Sequence, residues 1–147
     1  MLVIGDWLIC EDGVTTPTVL GLVGVTDGKM IEVTFLLDAG ADRTVFSADF
    51  LDLLAPLQNI GVDQIRLAGV RGTVSSITIA TAIGLLRNDG RVATVRGQFG
   101  VFTEGESAEL SVLARDVTNN FSVIYDYHKR AVALLALPHY YEINRQS

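Results

Sequence analysis

Three Asp-Gly pairs, Asp12-Gly13, Asp27-Gly28 and Asp89-Gly90, each stand between runs of apolar and β-branched residues. Asp-Gly supplies the positive φ that a tight hairpin turn needs, so each pair predicts two antiparallel strands joined by a short connection. Strands are expected near residues 2–10, 14–26, 29–38, 64–69, 73–87, 91–103 and 121–127, with another near 131–136. Only two short helices are expected. Ser47 can cap one running from Ala48 to Leu54, with Asp49 in its first turn where the dipole favours a negative charge, and Pro56 limits it. The other follows Arg115 and runs to about Asn120. Many strands, frequent turns and few helices predict a mainly β barrel or sandwich.

The chain has 147 residues, which fits one domain spanning residues 1–147. With 49% of its residues apolar it can bury a core without disulfide or metal staples. The net charge of −6, with no basic run to offset it, argues against nucleic acid as a partner, because neutralising phosphates needs a basic face. Cys10 stands alone, and no Cys/His cluster has metal-ligand spacing. His128 and His139 read as surface or loop residues. The apolar run from Met1 to Cys10 is short and interrupted by Asp6, so it reads as a strand and not as a signal peptide. Nothing approaches the length of a membrane span, and the expected compartment is the cytoplasm.

The segment from Lys29 to Leu37 points to chemistry. Ile31, Val33, Phe35 and Leu37 share one face by period two, and Glu32 and Thr34 the other. Leu36 breaks the alternation, so the strand ends apolar on both faces, and the next residue is Asp38. A carboxylate in that position is costly to ionise without a partner. Gly40 lets the backbone turn sharply beside it, and Thr44 and Val45 restart extended structure. On these residues alone two readings stand: an acid held for a task, or a turn residue satisfied by neighbouring amides.

The run Val33-Thr-Phe-Leu-Leu-Asp-Ala-Gly-Ala-Asp-Arg-Thr-Val-Phe-Ser47 resembles the signature of the retropepsin-like aspartic proteases, an apolar strand followed by Asp-Thr/Ser-Gly-Ala-Asp/Ser and Thr-Val. A second run, Ser111-Val-Leu-Ala-Arg-Asp-Val117, resembles the later motif of the same family, an apolar pair, Gly-Arg-Asp/Asn and an apolar residue opening a short helix. The two lie in the family's order and at about its separation, and the resemblance covers approximately residues 20–136. It implies a small closed β barrel of the acid-protease type with one or two short helices.

The resemblance also implies an aspartic endopeptidase with Asp38 as the catalytic carboxylate. Asp38 lies in the chain's single Asp-x-Gly-Ala motif. Pepsin-like chains carry two such motifs in roughly twice the length, so a complete site here implies a homodimer, with one Asp38 from each subunit on the two-fold axis. The substrate would be an extended polypeptide, with no metal or other cofactor. Gly40 and Asp42 would line the site beside Asp38, supported by Ala39, Ala41 and Arg115. Asp42 would pair with Arg115, whose planar fork suits a carboxylate. The alternative is two independent surface charges. Gly69, Val70, Arg71 and Gly72 would form the tip of a flap closing over substrate, or else an ordinary hairpin.

Two positions depart from the family pattern. Ala39 stands where the family has Thr or Ser, whose hydroxyl bonds across the dimer. Its loss would leave backbone groups unpaired, at about 1–3 kcal/mol for each one that is buried. Ala114 replaces a glycine where backbones pack closely. A non-catalytic module of the same fold, used for dimerisation or peptide binding, is therefore the alternative function, and an unrelated β-barrel ligand binder a third. The apolar runs Leu2–Ile9 and Ala131–Leu137 can serve a dimer contact or be buried within one subunit.

Overall fold

The computed structural model describes residues 2–59, 66–69, 72–105, 110–138 and 142, with 66–69 and 72–74 described as backbone. All three Asp-Gly pairs sit in hairpins. Strands β1 (Leu2–Ile9) and β2 (Thr15–Gly24) meet through Gly13 at φ 81°, with the Val14 amide donating to Asp12 Oδ1 at 2.9 Å. β2 turns into β3 (Met30–Leu37) through Asp27 and Gly28, both at positive φ, 64° and 68°. Beyond β4 (Val45–Phe46) and β5 (Arg66–Gly69), strands β6 (Gly72–Leu86) and β7 (Val92–Phe102) turn at Gly90, φ 82°. The chain ends in β8 (Ser111–Leu113), β9 (Phe121–Asp126) and β10 (Ala131–Ala136).

The strands close on themselves. The order β6-β7-β4-β8-β3-β2 becomes a ring because β2 also pairs with β6, Gly21 opposite Leu85 and Val23 opposite Ile83. Closure pairs β2 and β6 within the ring and leaves β5 and β9 as the outer strands of the sheet. Gly21 permits it. A Cβ there would stand 2.6 Å from the Phe35 ring, so only glycine lets β2 lie flat between β3 and β6. β5 extends the sheet beyond β6, and β1, β10 and β9 extend it beyond β2.

The ring is filled by one face of each strand. Val33, Phe35 and Leu37 are buried and Glu32 and Thr34 exposed, as the alternation requires. Phe46 joins Phe35 and Phe99 edge to face, with centroids 5.4 and 6.3 Å apart. Ile79, Ile83, Leu85, Val101 and Leu113 complete the centre.

Two short strands go beyond those expected: β4, where Thr44 and Val45 were expected to restart extended structure, and β8. β4 is two residues long and pairs parallel with β7; β8 is three residues long and pairs parallel with β3. Strands that short carry no periodicity of their own and exist because the ring has slots for them. The helix expected from Ala48 to Leu54 is instead a 3-10 turn (Ala48–Phe50), a single α turn α1 (Leu51–Leu54) and another 3-10 turn (Ala55–Leu57). The α turn ends at Leu54 as expected, and Pro56 sits in the first turn of the 3-10 piece that follows, where a missing N–H costs nothing. Ser47 does cap, its Oγ accepting from the Asp49 amide at 3.3 Å. The second helix, α2 (Arg115–Thr118), stops short of Asn120, whose Nδ2 donates to the Val117 carbonyl at 2.9 Å as the chain turns into β9.

The apolar runs near the termini are joined within the chain: Leu2–Gly5 of β1 pairs with Val132–Leu135 of β10. The far half of β1, Asp6–Ile9, pairs with β2 instead. The β9–β10 turn is fastened to β1 by the Trp7 indole, which donates to the Ala131 carbonyl at 3.0 Å and meets Tyr127 edge-on. The Arg130 guanidinium lies 4.1 Å above the Tyr127 ring. Among the described residues no helix is long and apolar enough to cross a membrane.

Candidate active site

Asp38 follows directly from β3. Its amide donates to the Leu113 carbonyl at 3.2 Å, which carries the parallel β3–β8 ladder one step past Leu37. The chain then turns back. The Gly40 amide donates to Asp38 Oδ1 at 2.9 Å, and the Ala41 amide to the Asp38 carbonyl at 3.3 Å. A Cβ at Gly40 would lie 3.2 Å from Asp38 Oδ1, so glycine leaves the carboxylate room to take this bond. Asp38 is half-buried, while Ala39 and Gly40 are exposed. The local amide thus satisfies one oxygen, and among the described residues no side chain bonds the other.

The loop is tied to α2 at three levels. The Arg115 amide donates to the Ala41 carbonyl at 3.0 Å. Arg115 and Asp42 form the expected ion pair, but both side chains are largely exposed, 46% and 81%, so the pair contributes little to stability. The stronger tie was not foreseen. Thr44 is fully buried; its Oγ1 donates to Asp116 Oδ1 at 2.6 Å and its amide to Asp116 Oδ2 at 2.9 Å. The same hydroxyl accepts from the Ala114 amide at 3.0 Å, and the Thr44 carbonyl accepts from the Gly100 amide at 3.0 Å. One threonine therefore joins the Asp38 loop, the β8–α2 junction and β7. Next along, the Ser47 amide donates to Ser111 Oγ at 2.9 Å, both residues buried. The sequence signal lay in Thr44 and Asp116 as members of the two matched motifs, but no spacing rule pairs them.

Ala114, expected to crowd this junction, is fully buried with its amide bonded. The methyl is accommodated. Gly69 and Gly72 stand opposite each other at the close of the β5–β6 hairpin, in which Arg66, Leu67 and Ala68 pair with Ser75, Val74 and Thr73. Val70 and Arg71 lie outside the described residues, as does His139. His128 is exposed in the β9–β10 turn. Among the described residues no three His, Cys, Asp or Glu side chains are grouped to hold a metal.

A closed β ring that carries an Asp-x-Gly-Ala loop at the end of one strand, with a short helix behind the loop, defines the retropepsin-like fold. A crystal structure of a retropepsin-like aspartic protease from Rickettsia conorii is similar over 91% of this chain and 90% of its own, at a TM-score of 0.54 and 14% identity. EIAV protease complexed with the inhibitor HBY-793 overlaps 71% of this chain and 86% of its own, at a TM-score of 0.45 and 22% identity. The retroviral protease-like domain of Ddi1 from Leishmania major overlaps 82% and 94%, at a TM-score of 0.42 and 15% identity. The likeness of fold rests on the first of these. No protein-family model and no curated protein sequence matches the chain.

Proposed function

We propose that this chain is an aspartic endopeptidase, a single domain acting as a homodimer on extended polypeptide, with Asp38 of each subunit forming the catalytic pair. The observation that carries the proposal is the seat of Asp38: a half-buried carboxylate beside an exposed glycine turn, on a loop welded to β8, α2 and β7. That rigidity is what an acid pair needs, because proton sharing depends on a fixed separation. One chain supplies one such acid, so the site requires a second copy.

Two carboxylates brought together cannot both ionise easily, and they share a proton, as aspartic proteases do in general. The ionised member takes a proton from water as the water attacks the scissile carbonyl. The protonated member donates to the carbonyl oxygen, and the proton gained passes to the leaving nitrogen as the C–N bond breaks. No covalent intermediate forms. In this reading Gly40 and Asp42 would line the cleft, and the segment of Gly69, Val70, Arg71 and Gly72 would serve as the flap over the substrate backbone. Ala39, Ala41 and Arg115 support the loop. We read the compartment as the cytoplasm.

Purified protein should cut an unfolded polypeptide at mildly acid pH, and Asp38→Asn should abolish cutting without altering the thermal melt. Peptide binding with no turnover at any pH would replace the protease reading with that of a non-catalytic peptide-binding module. Cleavage that survives in the Asn variant would remove Asp38 from the mechanism.

A further inference from the structure

β1 changes partners halfway along its length. Leu2–Gly5 pairs with β10, and Asp6–Ile9 with β2. Gly5 sits at the change, where a Cβ would overlap the Thr18 carbonyl oxygen, so only glycine lets β1 pass this close to β2. The split leaves a groove of about 460 Å³ on the outer face of the sheet. Ile4, Leu8 and Leu20 wall it, and Asp6, Thr18 and Thr34 supply its polar groups.

Period two sends Val3, Val19 and Val23 into the core and turns Ile4, Leu8 and Leu20 outward, where they are 42% to 62% exposed. The apolar surface continues past the groove. The β2–β6 register, Gly21 opposite Leu85, sets Leu86 beside Leu20, and Val92 lies opposite Leu86; both are exposed. Single exposed apolar side chains are ordinary, but five that share one face and flank a groove mark a docking surface.

The charges select the occupant. Asp6 stands in the groove, with Oδ1 accepting from the Trp7 amide at 2.7 Å. Glu32 of β3 lies on the same face, opposite Leu22. Among the described residues neither acid forms an ion pair, and no Lys or Arg lines the groove. Arg96 shares the outer face only on β7, opposite Ala82. Two copies of a chain of net charge −6, docked through this face, would set acid against acid. A groove that runs on as an open strip also suits a length of polypeptide better than a compact ligand, which is held in an enclosing pocket.

We propose that this outer groove binds a polypeptide segment in which apolar side chains neighbour Lys or Arg. The apolar side chains enter between Ile4, Leu8 and Leu20, and the cations meet Asp6 and Glu32. The site shares no residue with the Asp38 loop and stands without the protease reading.

Fluorescence anisotropy with a labelled peptide of repeated Leu-Lys tests it, on Asp38→Asn protein so that nothing is cut. Leu20→Ser should weaken binding about tenfold through lost apolar contact. Asp6→Asn should weaken it about threefold, an effect that high salt erases. Asp27→Asn, which removes an acid outside the groove, should change nothing. A Ser-Lys peptide of equal charge, and a Leu-Glu peptide, should each bind roughly tenfold more weakly or worse. Thermal melts establish that the variants are folded, and Ile4→Ser, at the most exposed wall, replaces Leu20→Ser if that melt falls. Affinity for Leu-Lys that the groove variants leave unchanged, or equal affinity for Ser-Lys, overturns the proposal. So does a loss of self-association in Leu20→Ser by sedimentation, which would give the face to a second copy.

Discussion

Thr44 and Asp116, 72 residues apart in the chain, are joined by two hydrogen bonds, one from the threonine hydroxyl and one from its amide. This contact, and not the exposed Asp42–Arg115 pair, fixes the acid-bearing loop to the helix behind it.

Thr44→Val keeps the shape of the side chain and removes the hydroxyl. The Ala114 amide loses its acceptor and Asp116 one donor. We expect a loss of about 1–3 kcal/mol, chiefly the cost of leaving the buried Ala114 amide unpaired, since Asp116 is exposed and can turn to water. Urea unfolding should show an earlier midpoint at unchanged slope.

Asp42→Ala, by contrast, should cost less than about 1 kcal/mol, since its ion pair is exposed to solvent. The same urea titration, repeated in high salt, should erase what difference there is. A loss as large as that of Thr44→Val would reverse the ranking of the two ties.

Gly21→Ala should destabilise by about 1–3 kcal/mol, because its new methyl must displace the Phe35 ring from the place where the barrel closes. Gly28→Ala has open space around it and a strained φ of 68°, so backbone strain alone should cost about 1 kcal/mol. Near-ultraviolet dichroism should change in the first variant and not in the second.

Ala39 is exposed, so a larger side chain fits there within one subunit. Ala39→Thr returns a hydroxyl to the loop. If two copies meet at this loop, one added hydrogen bond of about 1 kcal/mol per subunit should tighten the dimer roughly tenfold or more. Sedimentation equilibrium measures this, and an unchanged association constant would mean that residue 39 does not face the partner.

Asp89 gives the pH dependence a sign. The Arg91 amide first, then the Arg91 side chain and the charges of Arg87 and Arg91, hold its carboxyl below the ordinary carboxylate range. A group with a lowered folded-state pKa stabilises above its unfolded pKa and loses that effect as pH falls through the folded value. Asp89→Asn should therefore melt below the wild type at neutral pH, and the gap should close on acidification below the ordinary carboxylate range. Parallel melts across that range check it.

Local chemistry made most of the fold legible. Asp-Gly pairs announced three hairpins because positive φ is a property of single residues, and the alternation of Val33, Phe35 and Leu37 announced which face of β3 is buried. Asp38 stood out because a carboxylate ends that run. What stayed hidden depends on distant partners. Val45–Phe46 and Ser111–Leu113 are strands only because β7 and β3 lie beside them. Thr44 reads as an ordinary β-branched residue until Asp116 is folded against it. Pro56 marked where α1 stops, at Leu54, but not that the chain would run on as a 3-10 turn.

The Leu113 carbonyl that receives the Asp38 amide, and the Asp116 carboxylate that receives Thr44, belong to the last third of the polypeptide. On the ribosome, the acid loop is therefore synthesised long before the parts that shape it. A nascent fragment ending ahead of Ser111 keeps the Gly40 amide on Asp38 but lacks the Leu113 and Asp116 groups that tie the loop to β8 and α2. Truncation ahead of α2 should therefore loosen the Asp38 loop even where most of the barrel strands remain.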